Sequence, residues 1–573
     1  MINNPFIRAS LISQATAAWL LLSPVPAGAV ETNTPPAPPA AFPVSIQVDA
    51  GKTIGELRPI WRFFGADEPN YAYLKDGKKL LAELGRLGGG QVYFRCHHLL
   101  TSGDGAYALK WGSTSAYKED AQGRAVYDWT INDRIFDTYL ERGVKPYVQI
   151  GFMPEALTTH PQNYPQNPPV NQRAPADAGQ SYPPKDYAKW GELSYQWARH
   201  CVEKYGGAEV EKWYWEVWNE PNIFYWHGTH EDYFKLYDYA VDGVRRALPS
   251  ARVGGPETAG GPGGRFLREF LEHCARGTNY VSGRPGSPLD FISFHAKGSP
   301  TFTNGHVRMG ITSQLRDIND ACAVVAAFPQ YKQTPLVIGE SDPEGCAACT
   351  GPQNGYRNGL MYSSYTAASF AREPDLADRR GVNLEGALTW AFEFEDQPLF
   401  AGFRALASGG IDLPVLNVFR MFNQMSGRRI AAESDGAVPL DTILRQGVRA
   451  QPDVAAFASL DDKKLCVMVW HYHDDDVPGP DASIALEING FPLTNGVVRM
   501  RHFRIDEGHS DSFAAWQRLG SPAQPTPEQY AQLESAGQLA EFGKPETLTI
   551  NNNKAEVQFA LPRAAVSLLV FQW

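Results

Sequence analysis

The chain has 573 residues, 43% of them hydrophobic and 12% aromatic, enough apolar material for more than one structural unit. Its 52 basic against 63 acidic side chains leave a formal charge of -11, which argues against a polyanionic partner such as nucleic acid. The 14 tryptophans and 25 tyrosines are of the kind that stack on sugar rings, although most aromatics belong to cores.

Arg8 precedes an apolar run from Leu11 to Leu22, and Ala27 and Ala29 follow at the spacing of a signal-peptidase site. Residues 1–29 therefore read as a secretory signal and the product as exported, periplasmic or secreted; a buried N-terminal helix is the other reading. The run is too short for a membrane span, and no membrane partner is expected. Prolines at 35, 36, 38, 39 and 43 make residues 30–43 a stiff linker. Residues 44–59, with a strand over Val44 to Val48, are expected to join a later β-sheet.

From residue 60 to 425 short apolar runs alternate with helical ones. The predicted strands are Ile60 to Ala66, Gln91 to His97, Lys145 to Phe152, Lys212 to Asn219, Arg252 to Gly255, Phe291 to His295, Leu336 to Gly339 and Gly386 to Phe392. Between the third and fourth, Tyr187, Trp190, Leu193, Trp197 and Cys201 recur at helical spacing behind a capping Asp186. This order predicts an α/β fold, a (β/α)8 TIM barrel. An open doubly wound sheet competes, but no Gly-x-Gly-x-x-Gly turn follows a strand. From 426 to 573 the runs are short and β-rich: Lys464 to Tyr472, Ala482 to Ile488, Val497 to Ile505, Glu546 to Ile550 and Val566 to Trp573. They predict an accessory β-sandwich.

Seven cysteines include one close pair, Cys346 and Cys349, which reads as a loop-stapling disulfide or two inert thiols rather than a redox or zinc motif. The acids Asp474 to Asp476 and Asp481 are candidate calcium ligands, but they lack an EF-hand pattern and read rather as a solvated loop.

A barrel of this kind carries its chemistry at the C-terminal strand ends. Strand two ends in Arg95, His97 and His98; strand four in Asn219 and Glu220; strand six in His295 and Lys297; strand seven in Glu340 and Asp342. Strand eight ends in Trp390, with Glu393, Glu395 and Asp396 beyond it. Burial beside Trp213, Trp215 and Trp218 is expected to raise the pKa of Glu220, as suits a general acid. Glu220 and Glu340 together supply the two carboxylates that glycoside hydrolysis needs. Asp342 and Glu344 are expected as surface charge.

The motifs Trp218-Asn219-Glu220-Pro221, Val253-Gly254-Gly255-Pro256, Asp290-Phe291-Ile292-Ser293-Phe294-His295 and Ile338-Gly339-Glu340 carry a family resemblance. With Arg504-Ile505-Asp506, His509-Ser510, Trp516 and Gly520-Ser521-Pro522, the chain resembles glycoside hydrolase family 39 of clan A over nearly all its length after the linker. That family includes β-xylosidases and α-L-iduronidases. The resemblance implies Glu220 as general acid/base and Glu340 as nucleophile. It gives Asn219 the sugar 2-hydroxyl and places His97, His295 and Trp390 around the glycone ring. Glu395 is a further candidate for substrate binding.

Where β-xylosidases of the family typically have tyrosine, this chain has Lys297. The run His295-Ala296-Lys297-Gly298 is similar to the iduronidase branch, where a lysine helps hold a sugar carboxylate. Such an ammonium favours an acidic sugar, or pairs with Glu340 or Asp342 and lowers their pKa. The expected function is a retaining exo-glycosidase that removes terminal β-D-xylosyl residues from xylo-oligosaccharides. An α-L-arabinosidase or iduronidase-like enzyme is the alternative within the family, and a non-catalytic carbohydrate-binding barrel the alternative outside it. No metal or organic cofactor is expected, because two carboxylates and water suffice.

Overall fold

The computed structural model describes residues 40–573 apart from 89–90, 166 and 169–177; the expected signal and most of the proline-rich linker lie outside the described residues. Eight parallel strands form the closed barrel in chain order. They are β2 (Phe63–Ala66), β3 (Val92–Cys96), β4 (Val144–Ile150), β5 (Tyr214–Val217), β6 (Arg252–Thr258), β7 (Phe291–Lys297), β8 (Leu336–Asp342) and β9 (Leu384–Thr389). β9 closes on β2 through Leu388 opposite Phe63. Each overlaps a strand predicted from sequence. β6 and β8 continue to Thr258 and Asp342, past the predicted ends at Gly255 and Gly339, because their last residues are polar and apolar periodicity does not register them.

Helices fill the intervals: α1 (Lys75–Leu84), α2 (Thr130–Glu141), α3 (Tyr187–Tyr205), α4 (His230–Ala247), α5 (Phe266–Arg276), α6 (Ile311–Ala326), α7 (Leu360–Phe370), α8 (Glu373–Arg380) and α9 (Pro414–Gln424). Asp186 caps α3, accepting from the Ala188 and Lys189 amides at 2.9 and 3.1 Å, and Trp190, Leu193, Trp197 and Cys201 are buried as the spacing requires.

The two-residue alternation of β5 sorts its aromatics. Tyr214 and Glu216 point into the barrel, where the Tyr214 ring lies 4.9 Å from those of Tyr93 and Tyr147. Trp213 and Trp215 point outward, 5.5 Å from Phe136 and 5.8 Å from Trp197 respectively. The tryptophans expected around Glu220 therefore glue the helical shell to the barrel. Even Trp218 packs on Phe152, Trp190 and Trp226 and donates its indole N–H to the Tyr225 carbonyl. Inside, Phe63, Tyr93, Tyr147, Tyr214 and Phe291 make an aromatic floor, and above it sit the fully buried side chains of Arg95 and Glu216. This layering is what a filled barrel interior requires.

The accessory unit is one folded ten-stranded sheet. It comprises β1 (Phe42–Glu56), β10 (Arg428–Ser434), β11 (Asp453–Asp461), β12 (Lys464–Tyr472), β13 (Ala482–Asn489), β14 (Gly496–Ile505), β15 (Ala540–Glu541), β16 (Glu546–Ile550), β17 (Ala555–Leu561) and β18 (Val566–Gln572). The strand order is β15-β14-β18-β12-β11-β10-β1-β13-β17, with β16 on β14. β1 pairs in parallel with β13, Val44 opposite Ile484, and antiparallel with β10, Val48 opposite Ala432. β12 shows why this unit packs tightly on the barrel. Leu465, Val467 and Val469 face the sandwich interior, whereas Cys466, Met468, Trp470 and Tyr472 join the barrel core, so the strand is apolar on both faces. β10, β11, β15 and β17 were not predicted: Arg- and Ala-rich or edge segments have weak intrinsic strand preference and are fixed by their neighbours.

A buried ion pair ties the two parts. Asp453 of β11 accepts from Arg372, between α7 and α8, at 2.6 Å, from the Trp470 indole at 2.8 Å and from the Val438 amide at 2.8 Å. Replacing it strands a buried guanidinium. Asp453→Ala is expected to destabilise the protein by about 3–5 kcal/mol, read as a lowered thermal transition, with Asp453→Asn losing less.

Candidate active site

β5 ends at Val217 in a sharp turn in which Trp218 and Glu220 take positive φ of 74° and 46°. Such backbone is costly for residues other than glycine, and it is where chemistry is commonly mounted. The turn buries Asn219 and brings Glu220 to the mouth with 15% of its side chain exposed. The Glu220 amide donates to the Glu257 carbonyl at 2.9 Å, pinning the turn to the end of β6.

His295, from β7, lies fully buried beneath the mouth and joins the two predicted carboxylates. Its Nδ1 is 2.9 Å from Glu220 Oε1 and its Nε2 is 3.7 Å from Glu340 Oε1. Nε2 is also 3.3 Å from the buried Glu257. Burial alone would lower the imidazole pKa, but the charges of Glu340 and Glu257, the hydrogen bond to Glu220 and the close approach of Glu257 outweigh it and push it up to about 10. His295 is thus a buried cation clamped between acids.

Glu340, from β8, sits among four basic groups. Lys297 Nζ donates to its Oε2 at 2.6 Å, while Arg95 Nη1, His295 Nε2 and His97 Nε2 approach Oε1 at 3.6, 3.7 and 3.9 Å. Burial opposes ionisation, yet His295, Lys297 and Arg95 together hold the carboxyl well below its usual range. Lys297 also pairs with Asp342, which is buried rather than at the surface. Glu344, likewise expected at the surface, pairs with Arg404 at 2.7 Å and with Arg357.

Arg95 organises the level below. Its Nε donates to Glu216, its Nη2 to Asn219 Oδ1 at 3.0 Å, and it stands 3.4 Å from Glu257. Because Asn219 Oδ1 is taken, its Nδ2 is buried with no hydrogen-bond partner among the described residues, a donor aimed where a ligand hydroxyl would satisfy it. Gly339 makes room for the acid beneath: a Cβ there would lie 1.6 Å from Glu257 Oε1.

The other predicted residues divide. His97 Nδ1 is 3.0 Å from Asp67, and its ring lies 4.4 Å from that of Trp390; Trp390 donates its indole N–H to Asp67 at 3.3 Å and has Arg95 under its face at 5.0 Å. Its ring fits against Gly65, where a Cβ would come within 2.5 Å of it. His98 instead turns to Thr101 and packs on Trp111 and Phe152. Glu395 is not gathered with these groups; it accepts from the Asp76 and Gly77 amides at the start of α1 at 3.0 and 3.2 Å. Sequence reasoning missed Asp67, Glu216 and Glu257. A charged residue at inward parity on an aromatic strand would have revealed Glu216, and the run Val253 to Pro256 stops one residue short of Glu257.

Cys346 and Cys349 form a disulfide beyond β8. The Asp474 to Asp476 loop is internally paired, through Tyr472, Arg308 and Val307 among others. Among the described residues, the one group of acids with metal-holding spacing is Asp76, Glu393 and Glu395.

A nucleophilic carboxylate kept ionised beside a second, more exposed carboxyl can cleave a glycosidic bond without further groups. The model of glycosyl hydrolases family 39 matches residues 44–549. The chain belongs to that family. As a family 39 member it is 26% identical over 542 residues to a β-xylosidase of Caldicellulosiruptor saccharolyticus, covering 92% of this chain and 98% of that one. It is 25% identical over 530 residues to the α-L-iduronidase of Mus musculus, covering 86% and 76%. A monomeric β-xylosidase of Caulobacter crescentus CB15 shares its fold with a TM-score of 0.71 at 22% identity, over 92% and 99% of the two chains. This family 39 chain is therefore a glycosidase.

His295 gives the site a pH signature. An imidazole raised from its ordinary 6.5 to about 10 contributes stability that is fully present below pH 6.5 and is lost as pH rises through 10. The thermal midpoint of the wild type is expected to fall more steeply between pH 6.5 and 10 than that of His295→Gln; parallel curves would show that His295 is not the protonated bridge.

Proposed function

We propose that this glycosidase is retaining and exo-acting, and that it releases terminal non-reducing β-D-xylosyl residues from xylo-oligosaccharides. Glu220 serves as general acid/base and Glu340 as nucleophile. The observation that carries the reading is the pair of carboxylates set on the two nitrogens of one buried imidazole. A carboxylate held ionised by several cations beside a second, more exposed carboxyl suits a nucleophile and its acid/base partner, which favours a covalent glycosyl intermediate.

Glu340, kept ionised by its cations, attacks the anomeric carbon as the glycosidic bond breaks, and Glu220 passes its proton to the departing oxygen. Glu220 then removes a proton from water, which attacks the same carbon and frees Glu340. The Asn219 amide nitrogen meets the 2-hydroxyl as the ring gains oxocarbenium character, and the Trp390 indole underlies the sugar.

The xylose reading is supported by the β-xylosidase relative, which matches over 98% of its own length. It is supported also by the two carboxylates that absorb the charge of Lys297, leaving less of it for an acidic sugar. A uronic-acid or α-L-arabinosyl substrate is the second reading, favoured by the 15% of the Lys297 side chain that stays exposed. Export belongs to the same proposal and is supported by the Cys346–Cys349 disulfide, a bond of oxidising compartments.

Hydrolysis of p-nitrophenyl pentosides, hexosides and uronides, with NMR of the first-formed anomer, tests substrate and stereochemistry together. Retention with preference for the β-D-xyloside is the expected outcome, and net inversion would remove Glu340 from the nucleophile role. Glu220→Gln is expected to lose roughly 10²–10⁴ in kcat/KM on alkyl xylosides but far less on activated aryl xylosides. Equal losses on both would take the acid role from Glu220. In Lys297→Met the acid limb of kcat/KM should move to higher pH, because Glu340 loses one of the cations that keep it ionised. A gain of selectivity for the xyloside over the uronide in the same variant would show that Lys297 contacts substrate.

A further inference from the structure

We propose that Asp76, Glu393 and Glu395 bind a hard divalent cation, with Ca²⁺ the ion that fits, and that this cation braces the loop after β9 against the start of α1. One oxygen from each residue lies within 4.8 Å of the others. Oxygens on opposite sides of a Ca²⁺ ion, each at 2.3–2.6 Å from it, are about 5 Å apart. The donors are oxygens alone, with no His or Cys among them, which selects Ca²⁺ or Mg²⁺ over zinc-like metals.

The second observation is Glu393 itself. It is 1% exposed, and neither carboxylate oxygen meets a hydrogen-bond donor among the described residues. Asp76 Oδ1 is buried in the same condition, its nearest ammonium being that of the exposed Lys75 at 4.0 Å. Glu395 spends Oε1 on the Asp76 and Gly77 amides, so Oε2 is the oxygen it can offer. The Tyr71 hydroxyl is also buried without a hydrogen-bond partner and feels the charges of Glu68, Glu393 and Glu395. Several acids gathered around one unmatched buried carboxylate are strongly unfavourable unless a cation neutralises them or they hold a proton. Burial first, and then the charge of Glu395, pushes the Glu393 carboxyl well above its usual range.

The place has a consequence for the mouth. The loop leaves β9 through Trp390, and Glu68 follows Asp67, the residue that Trp390 and His97 both contact. A cation here would fix the loop that follows Trp390, independently of which sugar the site takes.

The test uses the full chain, stripped with EDTA and dialysed. CaCl₂ is expected to raise its Tm saturably, with MgCl₂ less effective, as for any ion that binds only the folded state. Tb³⁺ is expected to luminesce on tyrosine excitation, sensitised by Tyr71, and to be displaced by Ca²⁺. Glu393→Gln should abolish both responses and raise the Tm of the metal-free protein. Absence of any Ca²⁺, Mg²⁺ or Tb³⁺ response in the stripped wild type would overturn the proposal in favour of a proton shared by Glu393 and Glu395. An undiminished response in Glu393→Gln would overturn it too, by placing the ion elsewhere. Should that variant fail to fold, Asp76→Asn takes its place, and the wild-type titration is decisive alone.

Discussion

The structure depends on one buried guanidinium. Arg95 is fully enclosed in the barrel, on top of an aromatic floor, and touches Glu216, Glu257, Asn219 and Glu340. A charge in that position is tolerable only if it is paired and hydrogen-bonded on every side, so each partner is fixed in turn. β5 contributes Glu216 and Asn219, β6 contributes Glu257, and β8 contributes Glu340. The ion network thus aligns the strand ends to one another more tightly than backbone pairing alone would. The glycine before Glu340 belongs to the same constraint, since any side chain there would collide with Glu257.

The barrel was legible because its strands are apolar runs of the right length spaced by amphipathic helices, and all eight were found from that pattern. What the pattern could not convey was direction. Trp213 and Trp215 look like neighbours of Glu220 along the chain, but alternation sends them to the opposite side of the sheet from the site. Glu257 at the polar end of β6 was missed, and Asp342 at the end of β8 was read as surface charge, for a related reason: both are buried by charges from distant strands, and no local signal marks a residue whose partner lies far off in sequence. The strands β10, β11, β15 and β17 were hidden likewise, their residues being decided by pairing rather than propensity.

Within the site, the motif residues were legible as types but their contacts were not. His295 was expected at the sugar ring; it is fully buried between Glu220, Glu257 and Glu340, so it positions and charges the carboxylates from below. Lys297 was expected either to meet an acidic sugar or to pair with Glu340 and Asp342, and its ammonium makes the second set of contacts. Glu395 was a substrate-binding candidate from its place beyond the end of strand eight, and the first turn of α1 claims one of its oxygens.

These contacts impose a balance on the proposed reaction. The cations around Glu340 keep it ionised in the resting state, but every hydrogen bond it accepts also lowers its reactivity as a nucleophile. Attack on the sugar converts the carboxylate to an ester and deletes its charge. His295 then loses the largest of the influences that raise its pKa and leans more heavily on Glu257 and Glu220. The hydrogen bond at Nδ1 carries that change to the second carboxyl. Loss of charge at Glu340 is therefore felt at Glu220 through a single ring, at the stage when Glu220 must change from proton donor to proton acceptor. In the proposed reaction a buried imidazole set between the two carboxyls couples their electrostatics.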